Sequence, residues 1–235
     1  VQQNDWKQTT TNPTDINISS GVESKNNNFG NYKYGLISGM KFEDTDMDGI
    51  KDPGEKGLSG WTINLDKNAD GIVDLTILTE ANGNYSYTQV EFGTYRLREV
   101  QQNGWTQTTT NPSDINISSG VESKDNNFGN YKYGSISGMK FEDTDMDGIK
   151  DPGEKGLVDW TINLDKNADG SVDFTTKTDA NGNYSFTNLE FATYRVREVQ
   201  QSGWKQTTVD PSDVNISSGV ESKDNNFGNY KYGSI

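Results

Sequence analysis

Apolar residues in this chain alternate with polar ones over short runs, and no segment sustains an apolar period near 3.6. Trp61-Thr62-Ile63-Asn64-Leu65 and Tyr95-Arg96-Leu97-Arg98-Glu99-Val100 each turn one side of an extended segment inward and the other toward water. The same signal predicts strands near 37–42, 61–65, 73–79, 84–89, 95–100, 106–110, 115–117 and 128–133. Turn chemistry such as Asn82-Gly83 and Glu91-Phe92-Gly93 separates them. The expected fold class is all-β: tandem Ig-like β-sandwich domains, each with two sheets packed face to face.

The pattern repeats. Val1-Gln2-Gln3-Asn4 returns as Val100-Gln101-Gln102-Asn103 and as Val199-Gln200-Gln201-Ser202, a period of 99 residues. Residues 1–35 and 100–134 differ at four positions, Asp5/Gly104, Lys7/Thr106, Thr14/Ser113 and Asn26/Asp125, all expected at the surface. The strand series begins at Ile37 and ends at Tyr133, so complete copies are expected at 36–134 and 135–233, with 234–235 opening another. Residues 1–35 read as the C-terminal third of a preceding copy. A third of a sandwich cannot bury a core alone, so its cover is expected from upstream chain or from an identical subunit; either yields a linear array of adjacent repeats. Tyr34-Gly35-Leu36-Ile37 contains no Pro-rich or Gly/Ser-rich linker, which predicts a stiff junction.

Composition narrows the function. Only 30% of residues are hydrophobic and the net charge is -14, a balance that leans toward disorder, but 11% aromatic content within alternating runs points to thin folded cores. The pI near 4.4 disfavours nucleic acid and anionic membrane surfaces and makes cations the natural counterpart. No run approaches the ~18 apolar residues of a membrane span. Val1-Gln2-Gln3-Asn4 has no signal-segment character, so any export signal or anchor is expected outside this sequence. With no Cys there is no disulfide staple, and with no His either, the chain is poorly equipped for catalysis.

The acidic residues are clustered. Asp44-Thr45-Asp46-Met47-Asp48-Gly49-Ile50-Lys51-Asp52-Pro53-Gly54-Glu55 puts side-chain oxygens at loop positions 1, 3, 5, 9 and 12 and Gly at 6. With a backbone carbonyl at position 7 from Ile50, this spacing suits wrapping Ca²⁺. The second copy supplies Asp143, Asp145, Asp147, Ile149, Asp151 and Glu154. A further loop offers Asp66, Asn68, Asp70, Ile72 (by its carbonyl) and Asp74, with no acid at position 12; its counterpart is Asp165, Asn167, Asp169, Ser171 and Asp173. Ile72 and Ser171 differ where a backbone ligand leaves the side chain free to vary. The alternative is an acidic surface turn, disfavoured for the first loop because five carboxylates in twelve residues repel without a cation. The turn at Glu80-Ala81-Asn82-Gly83-Asn84 reads simply as a turn.

Ser38-Gly39-Met40-Lys41-Phe42-Glu43-Asp44-Thr45-Asp46, Gly49-Ile50-Lys51-Asp52-Pro53-Gly54-Glu55-Lys56-Gly57-Leu58, Asn82-Gly83-Asn84-Tyr85, Tyr95-Arg96-Leu97-Arg98-Glu99-Val100, Gly104-Trp105 and Asn127-Phe128-Gly129-Asn130 together resemble the calcium-binding B repeat of serine-aspartate repeat surface adhesins. The resemblance covers every copy. It implies a prealbumin-like (Cna-B type) sandwich, calcium in the loops, an extracellular cell-surface setting and a role as a rigid spacer. Related Cna-B domains often carry a Lys-Asn isopeptide crosslink assisted by a buried acid, for which Lys41, Asn130 and Glu99 stand nearest by position. Alternation that sends Met40 and Phe42 to the core is expected to leave Lys41 facing solvent, away from such a site.

Three functions follow in order of fit: a structural stalk or fibre segment, a ligand-binding adhesin domain, and a dockerin-type docking module. The last needs a helix after each calcium loop, yet Pro53-Gly54 and the alternating 61–65 run argue for strands. Trp61, Trp105, Trp160 and Trp204 stand singly, as core or strand-edge residues do, rather than as a sugar platform. Asn17, Asn116 and Asn215 begin glycosylation-type Asn-Ile-Ser triplets, and Asn84 and Asn183 begin Asn-Tyr-Ser. With Ile16 and Ile18 pointing inward from a strand, Asn17 is expected to point outward.

Overall fold

The computed structural model describes residues 3–233; the expected start of another copy at 234–235 lies outside the described residues, as do Val1 and Gln2. The strands are β1 (Trp6–Gln8), β2 (Asn31–Lys33), β3 (Gly35–Glu43), β4 (Thr62–Lys67), β5 (Leu75–Leu78), β6 (Asn84–Val90), β7 (Gly93–Glu99), β8 (Trp105–Gln107), β9 (Ile115–Ile117), β10 (Glu122–Ser123) and β11 (Phe128–Lys132). The second copy follows with β12 (Gly134–Glu142), β13 (Thr161–Lys166), β14 (Phe174–Lys177), β15 (Asn183–Leu189), β16 (Ala192–Glu198), β17 (Trp204–Gln206), β18 (Val214–Ile216), β19 (Glu221–Ser222) and β20 (Phe227–Lys231). Among the described residues there is no helix, and strands rather than helices follow the acidic loops, so the dockerin reading is set aside.

Among the described residues two compact bodies can be distinguished, one from residues 3–43, 49–101 and 109–129, the other from 44–48, 102–108 and 130–233. In the second body one sheet has the order β15-β12-β20-β17, with β19 also on β12, and the facing sheet has the order β14-β13-β16-β18. The strand alternation seen in the sequence places Ile136, Trp160, Ile162, Leu164, Tyr184, Phe186, Tyr194, Val196, Ile216 and Phe227 between the sheets. Within the first body, β5-β4-β7-β9 form the corresponding sheet, and β3 pairs with β6 and β10.

The strand β12 changes partners along its length. Its first half pairs with β15 and β19, while Lys140, Phe141 and Glu142 run parallel to Phe227, Gly228 and Asn229 of β20. First and last strands of the second copy are therefore direct neighbours.

Among the described residues ahead of β3, the 1–35 segment forms β1 and β2, paired antiparallel. Its Ile16, Ile18 and Phe29 are 49%, 62% and 61% exposed, whereas the equivalent Ile115, Ile117 and Phe128 are 9%, 2% and 0% exposed. This corrects the expectation for Asn17: no strand forms around it and Ile16 and Ile18 do not point inward. The alternation holds where facing strands exist, at Ile115-Asn116-Ile117, with Asn116 exposed.

Candidate metal centre

The loop after β12 is ordered by its own backbone. Asp143, fully buried, accepts from the N–H of Met146 and Gly148 at 2.8 Å each. Asp145 accepts from Asp147 N at 3.4 Å and Asp147 from Ile149 N at 2.7 Å. Glu154 closes the loop, accepting from Thr144 N at 2.6 Å and Asp151 N at 3.0 Å. Met146, at φ 67°, and Gly148, at φ 80°, make the left-handed bends that bring successive carboxylates to one side. As a result one carboxylate oxygen from each of Asp143, Asp145 and Asp147 lies within 4.8 Å of the others, and Asp44, Asp46 and Asp48 form the same trio.

Charges this close resist ionisation. The Asp145 carboxyl is pushed up by desolvation and by Asp147 and Asp143, and Asp46 is pushed up by desolvation and by Asp48 and Asp44. Asp143 moves the other way. Burial raises it, but the nearby Thr207 hydroxyl and the N–H groups of Gly148, Met146 and Asp147 outweigh burial and lower it below the usual aspartate value. A fixed anion beside two mutually repelling carboxylates is a donor set that fits a hard, oxygen-seeking cation.

The other predicted ligands are less gathered. Ile50 and Ile149 are exposed side chains, as a position contributing only its carbonyl allows, and Asp52 N donates to Glu55 at 3.0 Å. In the second loop Asp66 accepts from Asp70 N and Gly71 N, Asp70 from Ile72 N, and Asp74 from Lys67 N. Asp165, Asp169 and Asp173 repeat these bonds with Asp169 N, Gly170 N, Ser171 N and Lys166 N. Asn68 and Asn167 sit in left-handed turns at φ 70° and 72°. Among the described residues this loop gathers no trio of carboxylates comparable to that of the first.

Beside the first loop lies a second constellation, and it overturns the expectation for Lys41. Lys41 and Lys140 are fully buried. Lys140 Nζ is 2.8 Å from Glu198 Oε2, donates to Phe227 O at 3.2 Å and sits 4.5 Å from the Trp160 ring centroid. Lys41 makes the same contacts with Glu99 at 2.9 Å, Phe128 O at 3.2 Å and Trp61 at 4.5 Å. Asn229, also fully buried, donates Nδ2 to Glu198 Oε1 at 2.8 Å, so one carboxylate joins the lysine to the asparagine. Desolvation lowers the Lys140 ammonium to about 8, against the pull of Glu198.

Alternation along β12 runs from Ile136, not from the residues flanking the lysine. Ile136, Gly138 and Lys140 share the inner face of β12, and Phe141 is buried on the opposite face, where a Cβ on Gly228 would meet its ring at 2.6 Å. Both faces of this half-strand are covered, so Phe141 being apolar says nothing about where Lys140 points. Spacing from Ile136 was the available signal.

The sequence profile of the SdrD B-like domain matches residues 35–136 and again 134–233. The chain belongs to the SdrD B-like domain family. It is 35% identical over 207 residues to serine-aspartate repeat-containing protein D of Staphylococcus aureus (strain Newman), covering 83% of this chain and 15% of that protein. It is also 35% identical over 205 residues to serine-aspartate repeat-containing protein F of Staphylococcus epidermidis, covering 81% of this chain and 11% of that one. The chain thus spans a small part of the length of these relatives. Among solved structures, a streptococcal ancillary pilin is similar at 19% identity and TM-score 0.37, over 85% of this chain and 62% of that chain. The two SdrD B-like domains are structural repeats rather than enzymes. No helix of the described residues is long and apolar enough to cross a membrane.

Proposed function

We propose that this chain is a calcium-stiffened segment of an extracellular, cell-surface stalk or fibre, with repeats bounded at 36–134 and 135–233 joined end to end. One observation carries the reading: the acidic loop is anchored on the pair formed by the first and last strands. Asp143, at the head of the loop, donates its N–H to Asn229 O at 2.9 Å, directly beyond the parallel β12–β20 ladder. Tension entering at the start of β12 and leaving at the end of β20 slides these parallel strands past each other, so their hydrogen bonds resist together. Ca²⁺ held by Asp143, Asp145, Asp147, Asp151, Glu154 and the Ile149 carbonyl fixes the loop at the end of that ladder, and the loop opened by Asp44 acts alike. The loops opened by Asp66 and Asp165 are the weaker sites. Because such a site does not exist in the unfolded chain, calcium binding adds to folding stability. The expected result is a melting temperature higher in excess Ca²⁺ than in EDTA; identical melting would reduce the loops to ordinary acidic turns. Exposed Asn116 and Asn215 leave room for glycans without disturbing this arrangement.

The buried lysine supports a second reading, a covalent staple. A neutral Lys140 amine attacks Cγ of Asn229, the new Nζ–Cγ bond replaces Cγ–Nδ2, and Glu198 relays the proton to ammonia as it leaves. Intact mass of the purified chain decides it. The staple predicts a mass lower by one ammonia for each bond, and the full sequence mass would leave Lys140 and Glu198 as a buried ion pair.

A further inference from the structure

The strand leaving one copy is held by a turn belonging to the next. Lys132 N donates to Ser218 Oγ at 2.9 Å, and Gly219 N donates to Lys132 O at 2.7 Å. Three residues on, Ser135 N donates to Val220 O at 2.9 Å. The first body repeats this 99 residues earlier: Lys33 N to Ser119 Oγ at 3.0 Å, Gly120 N to Lys33 O at 2.9 Å, and Leu36 N to Val121 O at 3.1 Å. Between these bonds lies a glycine with no room for a side chain. A Cβ on Gly134 would meet Ile216 Cγ2 at 2.5 Å and Val220 O at 2.8 Å, and one on Gly35 would meet Ile117 Cγ2 at 2.5 Å and Val121 O at 2.7 Å. On the other side of the strand Tyr131 is fully buried and donates its hydroxyl to Leu189 O at 3.3 Å.

We propose that the Ser-Gly turn at Ser218-Gly219, and at Ser119-Gly120, is a clasp that fixes the strand entering each repeat, and that it is closed by the protein's own hydrogen bonds rather than by a cation. Its partner is the main chain of the preceding copy's last strand. Apart from the glycine and the tyrosine, it reads backbone, so any copy ending in Tyr-Lys-Tyr-Gly can precede any other. The clasp contains no carboxylate. A bond from Ser218 N to Thr45 O, long at 3.3 Å, touches an acidic loop. The clasp therefore stands or falls independently of the calcium proposal.

Amide hydrogen exchange on the full chain, read residue by residue in Ca²⁺ and in EDTA, tests this. The Lys132, Ser135 and Gly219 amides are expected to stay protected in both, whatever happens at Gly148 and Ile149. Gly134→Ala should speed exchange at those three amides by at least about tenfold while the amides of Leu164 and Val196 stay as protected as before. Ser218→Ala, which adds no bulk, should speed Lys132 alone. Exchange of Lys132 and Gly219 at the rate of an open loop, or their loss of protection on chelation together with Gly148, would overturn the proposal. Unaltered exchange in both variants would do the same.

Discussion

Glu198 is the residue on which the inner site of the second repeat turns, since its carboxylate meets both Lys140 and Asn229. Removing one member of a buried ion pair strands the other, at a cost of about 3–5 kcal/mol, whereas replacing both partners by apolar residues of similar size is far milder. Glu198→Ala and Lys140→Met are therefore each expected to lower stability by about that amount, and the double variant Lys140→Met/Glu198→Leu by clearly less than the two losses added, as read by denaturant unfolding. Strictly additive losses would mean the two side chains are not coupled as a pair. At the surface the sign of the pH effect is also set. Arg195 holds Asp213, and Arg96 holds Asp114, below the ordinary aspartate value of 3.8. Their contribution is present above that value and is lost as pH falls through the lower folded pKa. Acid destabilisation should consequently be smaller in Arg195→Gln than in the parent, measured as melting temperature against pH. The grouping of Asp44, Asp46 and Asp48, and of Asp143, Asp145 and Asp147, was legible because acids spaced two apart around a Gly turn converge on one side of a loop. Lys41 was not, because local alternation cannot reveal that the second half of a strand is covered on both faces.

Among the elements, the loop after β12 and the strand itself behave as one device. Asp145 converges on Asp143 and Asp147, while Lys150 sends Nζ to the carbonyl of Asp151 at 2.9 Å and supplies no oxygen. Asp145→Ala should weaken calcium binding far more than Lys150→Ala, and Asp46→Ala more than Lys51→Ala, in calorimetric titration. Equal losses would put the ligand register in error. Strand positions were readable from alternation alone in β4, β6, β7 and β9, where one face meets a core and the other meets water. The two-residue strand β10 carries no periodic signal, because a pairing of Glu122 and Ser123 with Leu36 and Ile37 is created by the fold around it. The 1–35 segment makes the same point in reverse. It has nearly the sequence of 100–134, yet Phe29 is exposed where Phe128 is buried, because burial depends on the strands that face it.

For the whole molecule, charge sets the balance. The loops of the two complete copies hold sixteen of the 35 acidic residues, and the chain carries -14 overall, so without cations these loops repel. On the proposed function, Ca²⁺ offsets that repulsion where it is most concentrated, next to the β12–β20 pair through which tension would pass. Single-molecule stretching of the intact chain between its two ends, in Ca²⁺ and then in EDTA, reads out calcium stiffening itself. One cooperative rupture per repeat is expected, at a force that drops substantially on chelation and recovers when Ca²⁺ returns. Rupture at the same force in both solutions would contradict it.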